Sequence, residues 1–168
     1  FRELIASSSV DRCSLHITID FAQSVRIPHQ SHQAGNIYFK SPFRIDMFGI
    51  AAENEGRTDV YCIPEGDCPN DSPKGFNYVI GMLDHYLSQE WLKGVRVLNL
   101  HADNCGGQNK NRFVLAYLAF LVACGRFDTI TLAFMVVGHT KCSVDRTFGL
   151  IKRCFVKNGE SGDAAGIH

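Results

Sequence analysis

Regular patterning begins at residues 14–20, where Leu15, Ile17 and Ile19 alternate with His16 and Thr18, a period of two that predicts a strand ending at Asp20. A loop with Pro28 and Gly35 follows. Residues 36–52 are rich in β-formers but broken by Pro42, which puts the second strand at 43–52. Residues 58–63 (TDVYCI) are expected to pair with it as a hairpin across the ENEG turn. The Gly, Pro, Asp and Asn of residues 64–74 read as a loop. Helical spacing then takes over: Phe76, Val79, Ile80, Leu83, Tyr86 and Leu87 recur at i, i+3, i+4, predicting a helix over about 74–91 that Gly94 closes. Residues 95–102 (VRVLNLHA) alternate again and finish at Asp103. Beyond the polar turn 104–110, residues 111–124 are apolar on all sides, as in a helix packed centrally on a sheet, and Gly125 stops them. Residues 129–137 (TITLAFMVV) read as a fully buried strand. A last helix is expected from an N-cap at Ser143 to about Lys157, with Val144, Phe148, Ile151 and Phe155 on one stripe.

The order β-β-β-α-β-α-β-α predicts an α/β domain with a mixed five-stranded sheet of strand order 3-2-1-4-5. It should be antiparallel in its first half and parallel in its second, with helices on its faces. The ribonuclease H-like fold has this order of elements. The reading divides the chain into an N-terminal extension (1–13), the domain itself (14–157) and a C-terminal tail (158–168).

Composition agrees with one globular domain. Of 168 residues 45% are apolar and 20% charged, which excludes disorder and repeat arrays. The longest apolar run, residues 113–124, is too short to cross a bilayer, which takes about 17–25 residues. Because the chain starts at Phe1, it is expected to be a segment of a longer protein. Seven cysteines at irregular spacings, with no CxxC pair, point to reduced thiols and a nuclear or cytoplasmic location. His139 and Cys142 form an HxxC pair, with no second pair at zinc-ligand spacing. The zero net charge hides an asymmetry. Residues 46–90 hold nine acids against two bases, a net of −7, whereas residues 106–157 hold eight bases against two acids, a net of +6. A basic C-terminal third of this kind suits a polyanion such as DNA, with Lys141, Arg146 and Lys152 as candidate contacts; an even surface of both signs is the competing reading, and a whole-chain pI near 7 counts against strong nucleic-acid binding by this segment alone.

Three acids stand at element ends: Asp20 after strand 1, Asp103 after strand 4 and Asp145 in the first turn of the last helix. If strands 1 and 4 are neighbours, the three carboxylates converge. Hard oxygen ligands then call for Mg²⁺ or Mn²⁺, and a pair of such ions activates water and stabilises the leaving oxygen of a phosphodiester. Each acid also has a plain structural role: the helix dipole favours Asp145, and Asp20 can begin a turn. Gly149, four residues after Asp145, would either clear space before the carboxylate or permit close packing. In 103–111 (DNCGGQNKN), Asn104, Gln108, Asn109 and Lys110 are placed to contact a nucleic-acid backbone or to hold the acids. An ordinary turn with an Asn N-cap competes with that reading. His139 is a candidate ligand or acid/base, or a structural histidine at a strand end. A separate possibility is a cysteine hydrolase built on Cys105 with His101 or His139 as base, although its elbow lacks the G-x-Nuc-x-G pattern.

The motifs DN-x-x-GQNKN and GHT-x-x-x-x-D-x-x-FG-x-IK, with IDFAQSVRIP and IYFKSPFRIDMFGI upstream, are carried by residues 15–157. Together they resemble the ribonuclease H-like, transposase-derived domain of many uncharacterised animal proteins. The resemblance implies a divalent-metal-dependent nuclease or DNA strand-transferase. Asp103 matches the family's strand-4 acid, Asp145 its helix acid and Asp20 the strand-1 acid. Many transposon descendants have lost catalysis, so the alternative is a silent interaction module. Cys142 departs from the apolar or aromatic residue expected there, which is read as bearing on packing more than on metal binding.

Overall fold

Leu15, Ile17 and Ile19 leave one side of β1 (Ser14–Phe21) and enter the main core, so the alternation seen in the sequence is the pleat of a strand with two different faces. The computed structural model describes residues 13–27, 41–67, 74–135 and 142–162, the last stretch with side chains up to Phe155. Over these it is a mixed α/β structure. A six-stranded open sheet is built from β1, β2 (Val25–Ile27), β3 (Phe43–Ala52), β4 (Arg57–Pro64), β5 (Val97–Ala102) and β6 (Thr129–Phe134). Three helices cover it: α1 (Phe76–Leu87), α2 (Arg112–Ala123) and α3 (Ser143–Gly162).

β3 pairs antiparallel with the whole of β4 through residues 45–52. Its other edge is shared by β1, opposite residues 48–52, and by β2, opposite residues 43–45, both antiparallel. β1 then pairs parallel with β5, and β5 parallel with β6. Helices α1 and α2 lie on one face, where Val79, Leu83, Tyr86, Val114, Leu118 and Leu121 meet β1, β3 and β5. On the opposite face Val144 and Phe148 of α3 pack with Val25, Met47 and Ala51. Being covered on both sides, β3 is buried continuously from Asp46 to Ala52. Each fully buried Leu or Ile in these layers contributes about 1.5–3 kcal/mol of transfer free energy.

Several expectations need correcting. The sheet has six strands instead of five, because the three residues of β2 are too few for a period of two to register. β6 is made of exposed and half-exposed residues and is not fully buried; among the described strands it pairs with β5 alone and lies at the edge of the sheet. α2 is apolar all round, yet only Val114, Leu118 and Leu121 are buried, while Phe113, Leu115, Phe120 and Val122 are exposed. α1 is shorter than 74–91, and a separate 3₁₀ turn, Glu90–Leu92, carries Leu92 into the core. β5 starts at Val97, and α3 continues past Lys157 to Gly162. Gly125 does end α2. At φ +70° it takes the left-handed conformation that favours glycine, and its N–H donates to the Val122 carbonyl. Among the described residues, no helix is long and apolar enough to cross a membrane.

Candidate functional site

Because β1 sends its odd positions to the main core, His16, Thr18 and Asp20 fall on the face shared with α3. Asp20 is half-buried, and its Oδ1 accepts the N–H of Phe21 at 2.8 Å. Its cross-strand partner on β3 is Gly49. A Cβ on Gly49 would stand 2.2 Å from Val144 Cγ1 and 2.9 Å from Phe148 Cζ, so α3 rests directly on this backbone. The start of α3 is thereby held over the end of β1.

Asp145 lies in the first turn of α3, and its Oδ2 accepts the N–H of Cys142 at 2.9 Å. This return bond to the residue preceding the helix is one half of a capping box. The sequence puts the cap at Ser143, but Ser143 is the first helical residue and its hydroxyl donates instead to Glu53 in the β3–β4 turn. Cys142 brings a third donor atom. Its Sγ lies 3.7 Å from Asp145 Oδ2, and one ligand atom each from Asp20, Cys142 and Asp145 falls within 4.8 Å of the others. Cys142 therefore bears on the set of possible metal ligands as well as on packing.

Asp103 follows β5 directly and stands outside that group of three. Its Oδ1 accepts the N–H of Cys105 at 3.3 Å and the Nδ2 of Asn109 at 2.5 Å. Asn109 is 1% exposed, so of the roles expected for it the structure displays the holding of a carboxylate. The surrounding turn closes on the Cys105 carbonyl, which accepts the N–H groups of Gln108, Asn109 and Lys110. Asn111 caps α2 by accepting from Phe113 and Val114.

Burial raises the Asp20 carboxyl to about 6, and the charges of Asp103 and Asp145 push the same way, against the Phe21 N–H and Lys74. Asp20 is thus within electrostatic range of both other acids, although only Asp145 shares the ligand group with it. Burial, with the charges of Asp145 and Asp20 adding, pushes the Cys142 thiol up to about 11, while the Asp145 N–H acts in the other direction.

The other candidates divide. Asn104, Lys110 and Arg146 are exposed, Gln108 and Lys152 half-buried, and the Lys110 ammonium stands 5.4 Å from the Phe134 ring centre. His139 and Lys141 lie outside the described residues. A Cβ at Gly149 would meet nothing within 4 Å, so this glycine is not explained by close packing. The sequence reading missed Gly49, whose need appears only when α3 is laid across β3, and Lys74. Lys74 Nζ donates to the Ala22 carbonyl at 2.8 Å and stands 3.5 Å from Asp46 Oδ1.

Over residues 40–161 the chain matches the model of a family described as a domain of unknown function, DUF7869, and it belongs to that family. No curated protein and no solved structure matches it.

Proposed function

We propose that this DUF7869 member is a divalent-metal-dependent nuclease or DNA strand-transferase domain, ribonuclease H-like in fold and transposase-derived. The observation that carries the reading is the meeting of Asp20, at the end of β1, with Asp145 and Cys142, at the start of α3, within reach of one ion. The run of neighbours β4-β3-β1-β5-β6, antiparallel and then parallel, supports the fold assignment.

Two carboxylates suit Mg²⁺ or Mn²⁺, and the thiol beside them shifts the preference towards Mn²⁺, the softer of the two. An ion bound there would activate water for attack on a phosphodiester. Asp20 and Asp145 hold the ion in this reading, with Asp145 fixed by the Cys142 N–H. Asp103, steadied by Asn109, adds negative charge from the neighbouring strand end. Asn104, Lys110, Arg146 and Lys152 supply polar and cationic contacts for the nucleic-acid strand, DNA in the first instance. The thiols of Cys105 and Cys142, which form no disulfide, suit a nuclear or cytoplasmic setting.

One observation favours a second reading, a catalytically silent interaction module. Asp103 is turned into its own loop, its Oδ1 occupied by Cys105 and Asn109. Incubation with Mn²⁺ and labelled single- and double-stranded DNA and RNA separates the two. Cleavage abolished by Asp145→Asn supports the nuclease; intact substrate at millimolar Mn²⁺ with a folded domain supports the silent module.

A further inference from the structure

Beyond the carboxylates, along α3, a cleft of about 700 Å³ opens between β2 and the middle of the helix. It is lined by Gln23, Ser24, Val25, Arg26, Arg44, Lys152 and Phe155. Three of these side chains are cationic. Arg26 and Lys152 make no ion pair with any described residue, so their charges are not neutralised within this part of the fold. Arg44 is anchored from below: its Nε lies 3.2 Å from Oδ2 of Asp46, a carboxylate 1% exposed, in a contact too misaligned for a hydrogen bond. Asp46 also accepts the Ser24 hydroxyl at 2.5 Å and has Lys74 at 3.5 Å, so its one negative charge is more than matched. Glu65 accepts the backbone N–H of Arg44 at 3.1 Å. Val25 and Phe155 give the cleft an apolar lining.

An anchored guanidinium, a second arginine and a lysine around a concave site form a receptor for phosphate, which takes forked N–H donors and point charges alike. The volume lies within the range of ordinary ligand pockets, about 300–1,000 Å³, and the apolar lining suits a sugar and base. Lys152 follows Asp145 by seven residues on the same helix, about 10 Å along its axis. We infer that this cleft is a phosphate-binding subsite that seats one nucleotide of a nucleic-acid strand running along α3 from the carboxylate site. The direction of the strand rests on the nuclease reading; the phosphate chemistry of the cleft does not.

The test is binding of fluorescein-labelled single-stranded oligothymidylate in EDTA, followed by anisotropy at several salt concentrations. Arg26→Ala/Lys152→Ala should weaken binding at least tenfold and flatten the dependence of log K on log salt by about 0.7, the value for one phosphate no longer neutralised. The charge-retaining Arg26→Lys/Lys152→Arg should bind within threefold of the native chain. So should Lys93→Ala, which removes a charge from the distant turn before β5. Native-like binding by a folded Arg26→Ala/Lys152→Ala protein overturns the subsite. Complete displacement of the oligonucleotide by millimolar inorganic phosphate, matched in ionic strength with sodium chloride, would mark a free-phosphate site and overturn the strand. Loss of binding in the double variant without any Mn²⁺-dependent cleavage by the native chain leaves the subsite standing and removes the nuclease. Cleavage with unchanged KM in the double variant does the reverse.

Discussion

Asp20 and Gly49 face each other across the β1–β3 ladder, and the missing side chain of the glycine is what lets α3 approach the carboxylate. Val144 and Phe148, both buried, stand where a Cβ on Gly49 would go, and Asp145 follows Val144 directly. A strand position and a helix position far apart in the chain are thus coupled through one backbone contact.

Gly49→Ala should therefore act twice. Overpacking of this kind costs about 1–3 kcal/mol, and displacement of α3 should also weaken any metal affinity of the Asp20–Asp145 pair. Gly149→Ala should do the opposite for stability, gaining up to about 1 kcal/mol because its Cβ meets open space in a helix. Urea unfolding of both variants checks the pair. Equal effects would mean that α3 does not bear on Gly49.

Asp20 makes the metal-free fold less stable as pH rises. Its folded-state value of about 6 lies above the unfolded value near 4, so between those limits the unfolded chain gives up its proton first and stability falls. Asp20→Asn keeps an oxygen for the Phe21 N–H and removes the charge. It should be more stable than the native chain above pH 6, by about 1–2 kcal/mol after allowance for partial exposure, and equal to it below pH 4. Thermal melts at pH 3.5, 5 and 7 in EDTA would expose a constant difference, which would assign the effect to packing.

The two partly buried cysteines near the site should separate. Cys105→Ala is expected to leave phosphodiester cleavage intact, since the thiol has no part in the ligand group. Cys142→Ser exchanges a soft donor for a hard one and should weaken Cd²⁺ binding at least tenfold while changing Mn²⁺ binding by less than threefold. Competition calorimetry with both ions reads the ratio. Abolished cleavage in folded Cys105→Ala would favour cysteine chemistry instead.

How much of this was legible in the sequence depended on the range of the interaction. The period of two in β1 and the i, i+3, i+4 spacing of α1 are set by local geometry, so these elements were legible, as was the stop at Gly125. Apolar runs were ambiguous: the residues of β6 and α2 look equally buried in sequence, and only the position at a sheet edge or on one stripe decides which are covered. Asp20, Asp103 and Asp145 could be singled out because they sit at element ends, but the sequence did not tell that Asp103 would stand outside the group formed by the other two. The entry of Cys142 into their neighbourhood and the space made by Gly49 were not legible, since both arise from how α3 crosses β3. Asn109 illustrates a third case. A polar residue in a polar loop reads as a surface contact, and its burial against Asp103 follows from the turn closing on the Cys105 carbonyl.

Isothermal calorimetry of Mn²⁺ against the native domain, Asp20→Asn and Asp145→Asn, run in two buffers of different ionisation enthalpy near pH 6, tests the central claim most directly. The account predicts binding by the native chain with proton release from the raised Asp20 carboxyl, and at least a tenfold loss in each variant. No heat from the native domain at millimolar Mn²⁺, or equal affinity in all three proteins, would contradict it.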